Sequence, residues 1–226
     1  YMPEHKRDKI LSETMFIFIP LAHRLGLYEV KSEMEDIWLR YKEPEAFNEI
    51  TEKINRNISD KDREISDFIA PINDALKAAG FKYEIKKRVK TPYSIWNKMN
   101  NKGIPFDQIY DLYAVRIIFD PDKDSKETER DQCYHVFSII TGLYRYKADR
   151  VRDWVNYPKN NGYEALHCTL MSNAGFWIEV QIRSTRMNEI AEKGIAAHWA
   201  YKKNGFAEEN ESEMDKWISK VKDILV

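Results

Sequence analysis

Only two cysteines occur in the 226 residues, Cys133 and Cys168, and their spacing supports neither a zinc site nor a disulfide framework. Glycine is scarce too, with eight residues, and none falls in a G-x-G-x-x-G fingerprint or a Walker P-loop. The two common glycine-rich phosphate cradles are therefore excluded. None of the five histidines precedes an aspartate, so a His-Asp metal phosphohydrolase site has no support in this sequence. No apolar run approaches the roughly 18 residues of a membrane helix, and the opening Tyr-Met-Pro-Glu-His-Lys-Arg is no secretory signal. Neither charge sign dominates. Against 36 Lys and Arg stand 37 Asp and Glu, a net charge of −1, which rules out a generic polyanion binder and disfavours direct nucleic-acid binding. These absences lead us to expect a reduced, cytoplasmic protein. The lack of a natural-looking start at Tyr1 suggests a piece of a longer chain.

Hydrophobic residues make up 43% of the sequence and aromatics 13%, enough for a real core. Residues 1–80 read as a helical segment. Val30, Met34, Ile37, Trp38 and Tyr41 recur at helical spacing, followed by Pro44, and both stripes are expected to pack inward. The second runs Ile50, Ile54, Ile58, Ile65, Ile69, Ile72 and Leu76 to Gly80, with Pro71 as an expected interruption. Phe81–Val89 alternates as a strand. Thr91-Pro92 supplies an N-cap and an N1 proline for a helix ending near Gly103. Leu112–Phe119 is a second strand, Asp120–Asp131 a surface loop, Gln132–Leu143 a helix, and Tyr144–Lys159 an irregular basic and aromatic loop. A hairpin follows, built from Asn161–His167 continuing onward and from Ile178–Arg183. A helix from Met187 to Lys202 comes next, then a terminal amphipathic helix over Ser212–Leu225. Four strands interleaved with helices predict an α+β fold with a mixed sheet over residues 81–203, and residues 204–226 as linker and terminal helix.

The hairpin is the most informative stretch. With its turn at Asn173-Ala174-Gly175, Leu170 faces Ile178, Cys168 faces Val180 and Leu166 faces Ile182, so all six apolar residues share one face. The other face then pairs Thr169 with Glu179 and His167 with Gln181. For Glu179 the alternatives are a solvated strand carboxylate or a reactive one. For His167 they are a satisfied structural histidine or a site residue. Asp111, just before the second strand, is either a turn aspartate or a Mg²⁺ ligand paired with Glu179, since Mg²⁺ takes one or two carboxylates and leaves the rest to phosphate and water. Arg116 puts a charge in an otherwise apolar strand: it is either an edge-strand arginine pointing out to solvent or a buried charge that must find a partner or a phosphate.

Residues 82–102 carry seven Lys and Arg against one acid, Glu84. Within that run Arg88 and Lys90 precede a helix N-terminus, and Ser94 and Lys98 share one of its faces, which favours polyphosphate. Tyr163, after Asn161-Gly162, is either a packed turn residue or a stacking platform for a base. Lys159, Arg150 and Arg152 add positive charge nearby. Taken alone, these patterns reach a Mg²⁺-dependent nucleotide site and stop short of the reaction.

Five motifs resemble the synthetase domain of the RelA/SpoT family, the (p)ppGpp synthetases of the stringent response. They are Tyr93–Met99 (Y-S-I-W-N-K-M), Phe106–Arg116, Pro158–His167, Glu179–Arg183 (E-V-Q-I-R) and Ala196–Lys202. Pro20–Tyr28 resembles the helical exit of the family's hydrolase domain. The resemblance implies a nucleotidyltransferase-like domain that moves the pyrophosphoryl group of ATP to the 3′-hydroxyl of GDP or GTP. It implies ATP binding by Arg88, Lys90, Ser94, Lys98 and Arg116, and Mg²⁺ on Asp111. Glu179 becomes the general base or a second metal ligand, supported by Gln181. Tyr163 would stack on guanine, with Asn161, Lys159, His167 and Arg152 on the GDP or GTP side. Upstream hydrolase and downstream regulatory domains are implied in the longer chain. The family commonly reads Gly-Arg-Pro-Lys where this chain has Lys87-Arg88-Val89-Lys90. At Arg150-Val151-Arg152-Asp153 the chain is nearest the family's basic R-x-K-D form. A nucleotide-binding regulatory module with weak turnover is the competing expectation.

Overall fold

The computed structural model describes residues 3–109 and 111–193. The expectations for Ala196–Lys202, the terminal helix and residues 204–226 lie outside the described residues. Helix α1 (Glu4–Glu13) passes through one π turn (Thr14–Phe18) into α2 (Ile19–Arg24), and α3 (Tyr28–Lys42) and α4 (Pro44–Ala78) follow. Strand β1 (Lys82–Val89), α5 (Pro92–Lys102), β2 (Tyr113–Asp120), α6 (Glu129–Leu143), β3 (Arg152–Asp153), β4 (Leu166–Met171), β5 (Trp177–Ser184) and α7 (Thr185–Lys193) complete the described chain. The five strands form one mixed sheet in the order β1-β2-β5-β4-β3, in which only β2 and β5 run parallel. The fold is α+β, as the strand and helix alternation predicts.

The hairpin has the expected register. Leu166 faces Ile182, Cys168 faces Val180 and Leu170 faces Ile178, with His167 opposite Gln181 and Thr169 opposite Glu179. All six apolar residues are essentially buried. Each such burial stabilises by roughly 1.5–3 kcal/mol, and a one-residue slip would turn the whole set to the other face. Gly175, at φ 85°, closes the turn between Ser172 and Phe176. The strand begins only at Leu166, however, so residues 161–165 form a loop rather than part of the hairpin.

That apolar face packs with Val115, Ile117 and Phe119 of β2 against α4 and α6. The opposite face carries Arg116, Glu179, Gln181, Arg183 and His167, partly covered by α7. Helix α5 starts as expected. Thr91 caps it by accepting the Ser94 N–H (3.4 Å), and Gly103 ends it in the left-handed conformation at φ 62°.

Three expectations fail for tertiary reasons. Pro71 does not interrupt α4, which runs unbroken for 35 residues. Burial of Phe68, Ile69, Ile72 and Leu76 on either side of the proline holds the helix through one lost hydrogen bond. The α3 stripe is split: Val30, Ile37 and Tyr41 are exposed at 48, 40 and 55%, while Met34 and Trp38 are half-buried. Helix α3 instead buries Leu39 and Glu35, the latter paired with Lys31. Its rotation is set by α5, where Asp36 accepts the Tyr93 N–H (2.9 Å) and Trp38 packs on Tyr93 and Trp96. The loop after α6 contains a fifth short strand, β3, because Arg152 and Asp153 pair with His167 and Leu166. Helix α6 also begins three residues early, at Glu129, through a capping box between Thr128 and Asp131.

Candidate active site

The first half of the site is built where β1 runs into α5. Lys90 leaves β1 with its N–H on the Leu112 carbonyl (3.0 Å), and Lys98 lies on α5. Both reach Asp111, just before β2: Lys90 Nζ is 3.0 Å from Oδ2 and Lys98 Nζ 2.5 Å from Oδ1. Burial opposes the charge of Asp111, but the two ammonium groups outweigh it and hold its carboxyl below the usual range. Ser94 is engaged at the helix start, where its hydroxyl accepts from Thr91 Oγ1 (2.9 Å). Arg88 is exposed at the end of β1. Lys87 turns away to Asp62.

Arg116 occupies the polar face of β2, between Lys86 of β1 and Gln181 of β5. It donates to Glu192 (3.0 Å) and Asn188 (3.3 Å) of α7, while its Nε is buried without a partner among the described residues. Burial, then the nearby charges of Arg183 and Arg88, pushes its pKa down to about 10. A cation under that strain favours an arriving anion.

The second half lies on β4 and β5. Glu179 Oε1 accepts from Gln181 Nε2 (2.8 Å) and faces His167 Nδ1 at 3.4 Å. Burial works against the charge of Glu179, but contact with His167 and Gln181 outweighs it and keeps the carboxyl below its usual range. Burial also holds His167 below the usual imidazole value, ahead of the opposing pull of Glu179. Burial thus favours the neutral ring. His167 Nε2 lies 2.8 Å from the Tyr163 hydroxyl. Asp111 lies just before β2, and Glu179 pairs with Ala114 on β5, where the Asp111 charge opposes its own.

Of the remaining predicted residues, Tyr163 joins the Glu179 cluster through His167, while Asn161 and Arg152 are tied elsewhere. Tyr163 is buried, its ring edge-on to Tyr28 and Trp154 and under the cations of Arg183 (4.8 Å) and Lys159 (4.9 Å). In this arrangement a base has no free face to stack on. Asn161 is tied to the N-terminal helices, donating to Tyr28 Oη (2.5 Å) and the His23 carbonyl (3.4 Å). Lys159 sits 4.0 Å over Trp154. Arg152 is exposed, pairs through its backbone with His167, and bonds the carbonyls of Asp149 and Val151. Asp153 anchors this loop through Tyr134 (2.6 Å) and Asn156. Cys133 and Cys168 are buried thiols whose pKa is pushed up to about 12, which removes them from the chemistry.

Sequence reasoning missed Arg183, which bonds Tyr163 and Gln181, and Arg186, which clamps Glu164 and Glu129. Arg183 shares the odd-numbered parity of Glu179 and Gln181 on β5, so the alternation held that signal. Nothing local in the sequence pointed to Arg186.

Among the described residues no cluster of three or more His, Cys, Asp or Glu is placed to hold a metal. The donor set of Asp111 and Glu179 nevertheless fits Mg²⁺, which needs few carboxylates when phosphate and water fill its other positions. It fits no thiolate- or imidazole-rich metal.

A family described as "Region found in RelA / SpoT proteins" matches residues 87–206. The chain is 34% identical over 222 residues, 97% of its length, to a GTP pyrophosphokinase of Photobacterium angustum. It is 36% identical over 200 residues, 88% of its length, to the bifunctional (p)ppGpp synthase/hydrolase SpoT of Escherichia coli. It spans less than a third of these relatives, 29% and 27% of their lengths. Among solved structures, the small alarmone synthetase 1 of Bacillus subtilis superposes with a TM-score of 0.47 at 17% identity, covering 77% of this chain and 98% of that one. No helix among the described residues is long and apolar enough to cross a membrane. Five motifs, the family match over more than half of the chain, and identity above 30% across nearly all of it agree: the chain belongs to the RelA/SpoT family.

Proposed function

We propose that this chain is a (p)ppGpp synthetase domain, transferring the β,γ-pyrophosphoryl group of ATP to the 3′-hydroxyl of GDP or GTP and releasing AMP. The observation that carries this reading is the pairing of two different subsites across the β2–β5 junction. One is a carboxylate held between two lysines, Lys90–Asp111–Lys98, suited to a polyphosphate and its cation. The other is a charged carboxylate, Glu179, held by neutral donors and suited to a hydroxyl.

In the reaction, the lysines exchange Asp111 for the ATP phosphates, with Arg88 and Arg116 adding charge. Transfer of this kind needs positioning and neutralisation more than covalent help. The 3′-oxygen attacks the β-phosphorus, the bond from Pβ to the α,β-bridging oxygen breaks, and AMP leaves with that oxygen. The hydroxyl proton passes to Glu179. Because Glu179 is a weak base, that proton moves as the O–P bond forms rather than in a prior step. Mg²⁺ held by Asp111 and Glu179 would supply charge neutralisation on the phosphates. Tyr163, Asn161, Lys159, His167 and Arg152 are assigned to the guanosine nucleotide. For Tyr163 this assignment requires Lys159 or the α2–α3 corner to move aside.

We place the protein in the cytoplasm. Residues 1–80 are read as the exit of an upstream hydrolase domain, residues 81–203 as the synthetase and residues 204–226 as the start of a link to regulatory domains. No direct nucleic-acid binding is assigned. The covered Tyr163 ring favours one second reading, a nucleotide-binding regulatory module with poor turnover. Incubation with γ-labelled ATP, Mg²⁺ and GDP or GTP decides between them. Label in a guanosine tetra- or pentaphosphate with AMP released supports the synthetase. Tight nucleotide binding without transfer supports the module.

A further inference from the structure

Arg183 is a full guanidinium only 2% exposed, on the strand that carries Glu179, with no assigned part in the reaction above. Its Nη2 donates twice, to the Tyr163 hydroxyl (2.5 Å) and to Gln181 Oε1 (3.0 Å). From these two bonds the contacts close into a ring. Gln181 Nε2 reaches Glu179 Oε1 (2.8 Å), Glu179 Oε1 faces His167 Nδ1 (3.4 Å), and His167 Nε2 meets the Tyr163 hydroxyl (2.8 Å).

The direction of every bond in this ring follows from one property of arginine: it donates and never accepts. Tyr163 accepts from Arg183, and the acceptor within reach of its single proton is His167 Nε2. His167 then carries its own proton on Nδ1, facing Glu179. On the other branch, Gln181 must turn its carbonyl to Arg183, which leaves its amide N–H₂ for Glu179. Gln181 thus donates to Glu179 Oε1 at 2.8 Å, and the His167 Nδ1 side stands over the same oxygen at 3.4 Å, a longer electrostatic contact. Reversing the Gln181 branch would set a donor against the guanidinium, and reversing the Tyr163 branch would take the acceptor from the phenol proton, inside a buried site where an unmatched polar group is expensive.

We propose that Arg183 is a positioning residue that sets the direction of two polar chains converging on Glu179 Oε1, one ending in the Gln181 hydrogen bond and one in the His167 contact, and so leaves Oε2 as the oxygen that meets substrate. The proposal rests on the synthetase reading for what Oε2 meets, and on the geometry alone for the ring. It also explains why a buried arginine sits beside Arg116, whose charge it opposes.

The test reads the ring separately from the reaction. In the ¹⁵N-labelled chain at pH 8, long-range ¹H–¹⁵N correlations report the histidine tautomers, and the signals missing in His167→Gln identify His167. We expect the Nδ1–H form in the parent chain. In Tyr163→Phe and in Arg183→Met we expect the preference to be lost. An Nε2–H form in the parent, or a tautomer unmoved in Tyr163→Phe, overturns the proposal even where Arg183→Met fails to fold. In turnover, Arg183→Met should lower kcat by roughly 10- to 100-fold, the usual size for a residue that orients a reactive group, and leave the KM for ATP within about threefold. Combining it with Gln181→Met should lose less than the product of the two single losses. Independent losses that multiply, or an equal change in KM and kcat, would assign Arg183 to the scaffold instead. Absence of transfer in the parent chain removes the proposed reaction, and the tautomer measurement still decides the ring.

Discussion

Asp111→Asn is the substitution with the most to say, because it changes one charge and leaves two lysines in place. Asp111 accepts from Lys90 at 3.0 Å and from Lys98 at 2.5 Å. At an effective dielectric of about 20, unit charges about 3 Å apart attract by roughly 5 kcal/mol. The side chains of Asp111, Lys90 and Lys98 are 22, 27 and 23% exposed, so water screens much of that, and about 1–3 kcal/mol is a fair net value. Three consequences follow, with different signs. Folding loses about 1–3 kcal/mol, which lowers Tm by about 2–4 °C per kcal/mol in a chain of this size. Metal-free ATP binds more tightly, because the lysines no longer have a competing carboxylate; about 1.4 kcal/mol would shrink its Kd tenfold. Turnover falls by at least about 100-fold, near 3 kcal/mol of transition-state stabilisation, because a principal carboxylate for the cation is gone. Calorimetric titration of ATP in EDTA and label transfer with Mg²⁺ read the last two. Weaker metal-free ATP binding in the variant, or turnover within threefold of the parent, would refute the view that Asp111 serves as both lysine counter-ion and metal ligand.

Glu179→Gln should fold normally yet lose at least about 100-fold in kcat. Its amide oxygen would keep the Gln181 and His167 contacts and place an N–H₂ where Oε2 had been; near-normal turnover would end the base and ligand assignments alike. Arg186→Ala removes paired bonds to Glu164 and Glu129 that tie the Tyr163 loop, α6 and α7 together, and should destabilise by about 2–3 kcal/mol in a thermal melt. Arg186→Lys should not restore it, since an ammonium cannot span two carboxylates in this way. Tyr28→Ala frees both Asn161 and the edge of Tyr163, so the KM for GDP or GTP should fall severalfold while that for ATP stays put. No change in acceptor KM would mean that the Tyr28 contact does not limit access to Tyr163.

Where the physics is local, the sequence by itself determined the outcome. The α5 start at Thr91-Pro92, its end at Gly103 and the inward stripe of α4 are read from neighbours a few residues apart. The β4–β5 register is nearly as local, because a period of two and one turn glycine leave a single pairing that buries the apolar set. That register already placed Glu179, Gln181 and His167 on one face. Tertiary structure decided the rest. Which side of α3 is buried depends on Tyr93 and Trp96, more than fifty residues away, and the persistence of α4 through Pro71 depends on packing partners. The short strand β3 exists only because β4 offers it an edge. Pairing of Asp111 with Lys90 and Lys98, the cover over Tyr163 and the ring closed by Arg183 all join residues distant in sequence. A residue's type states which bonds it can make, and only the folded chain decides which partner is within reach.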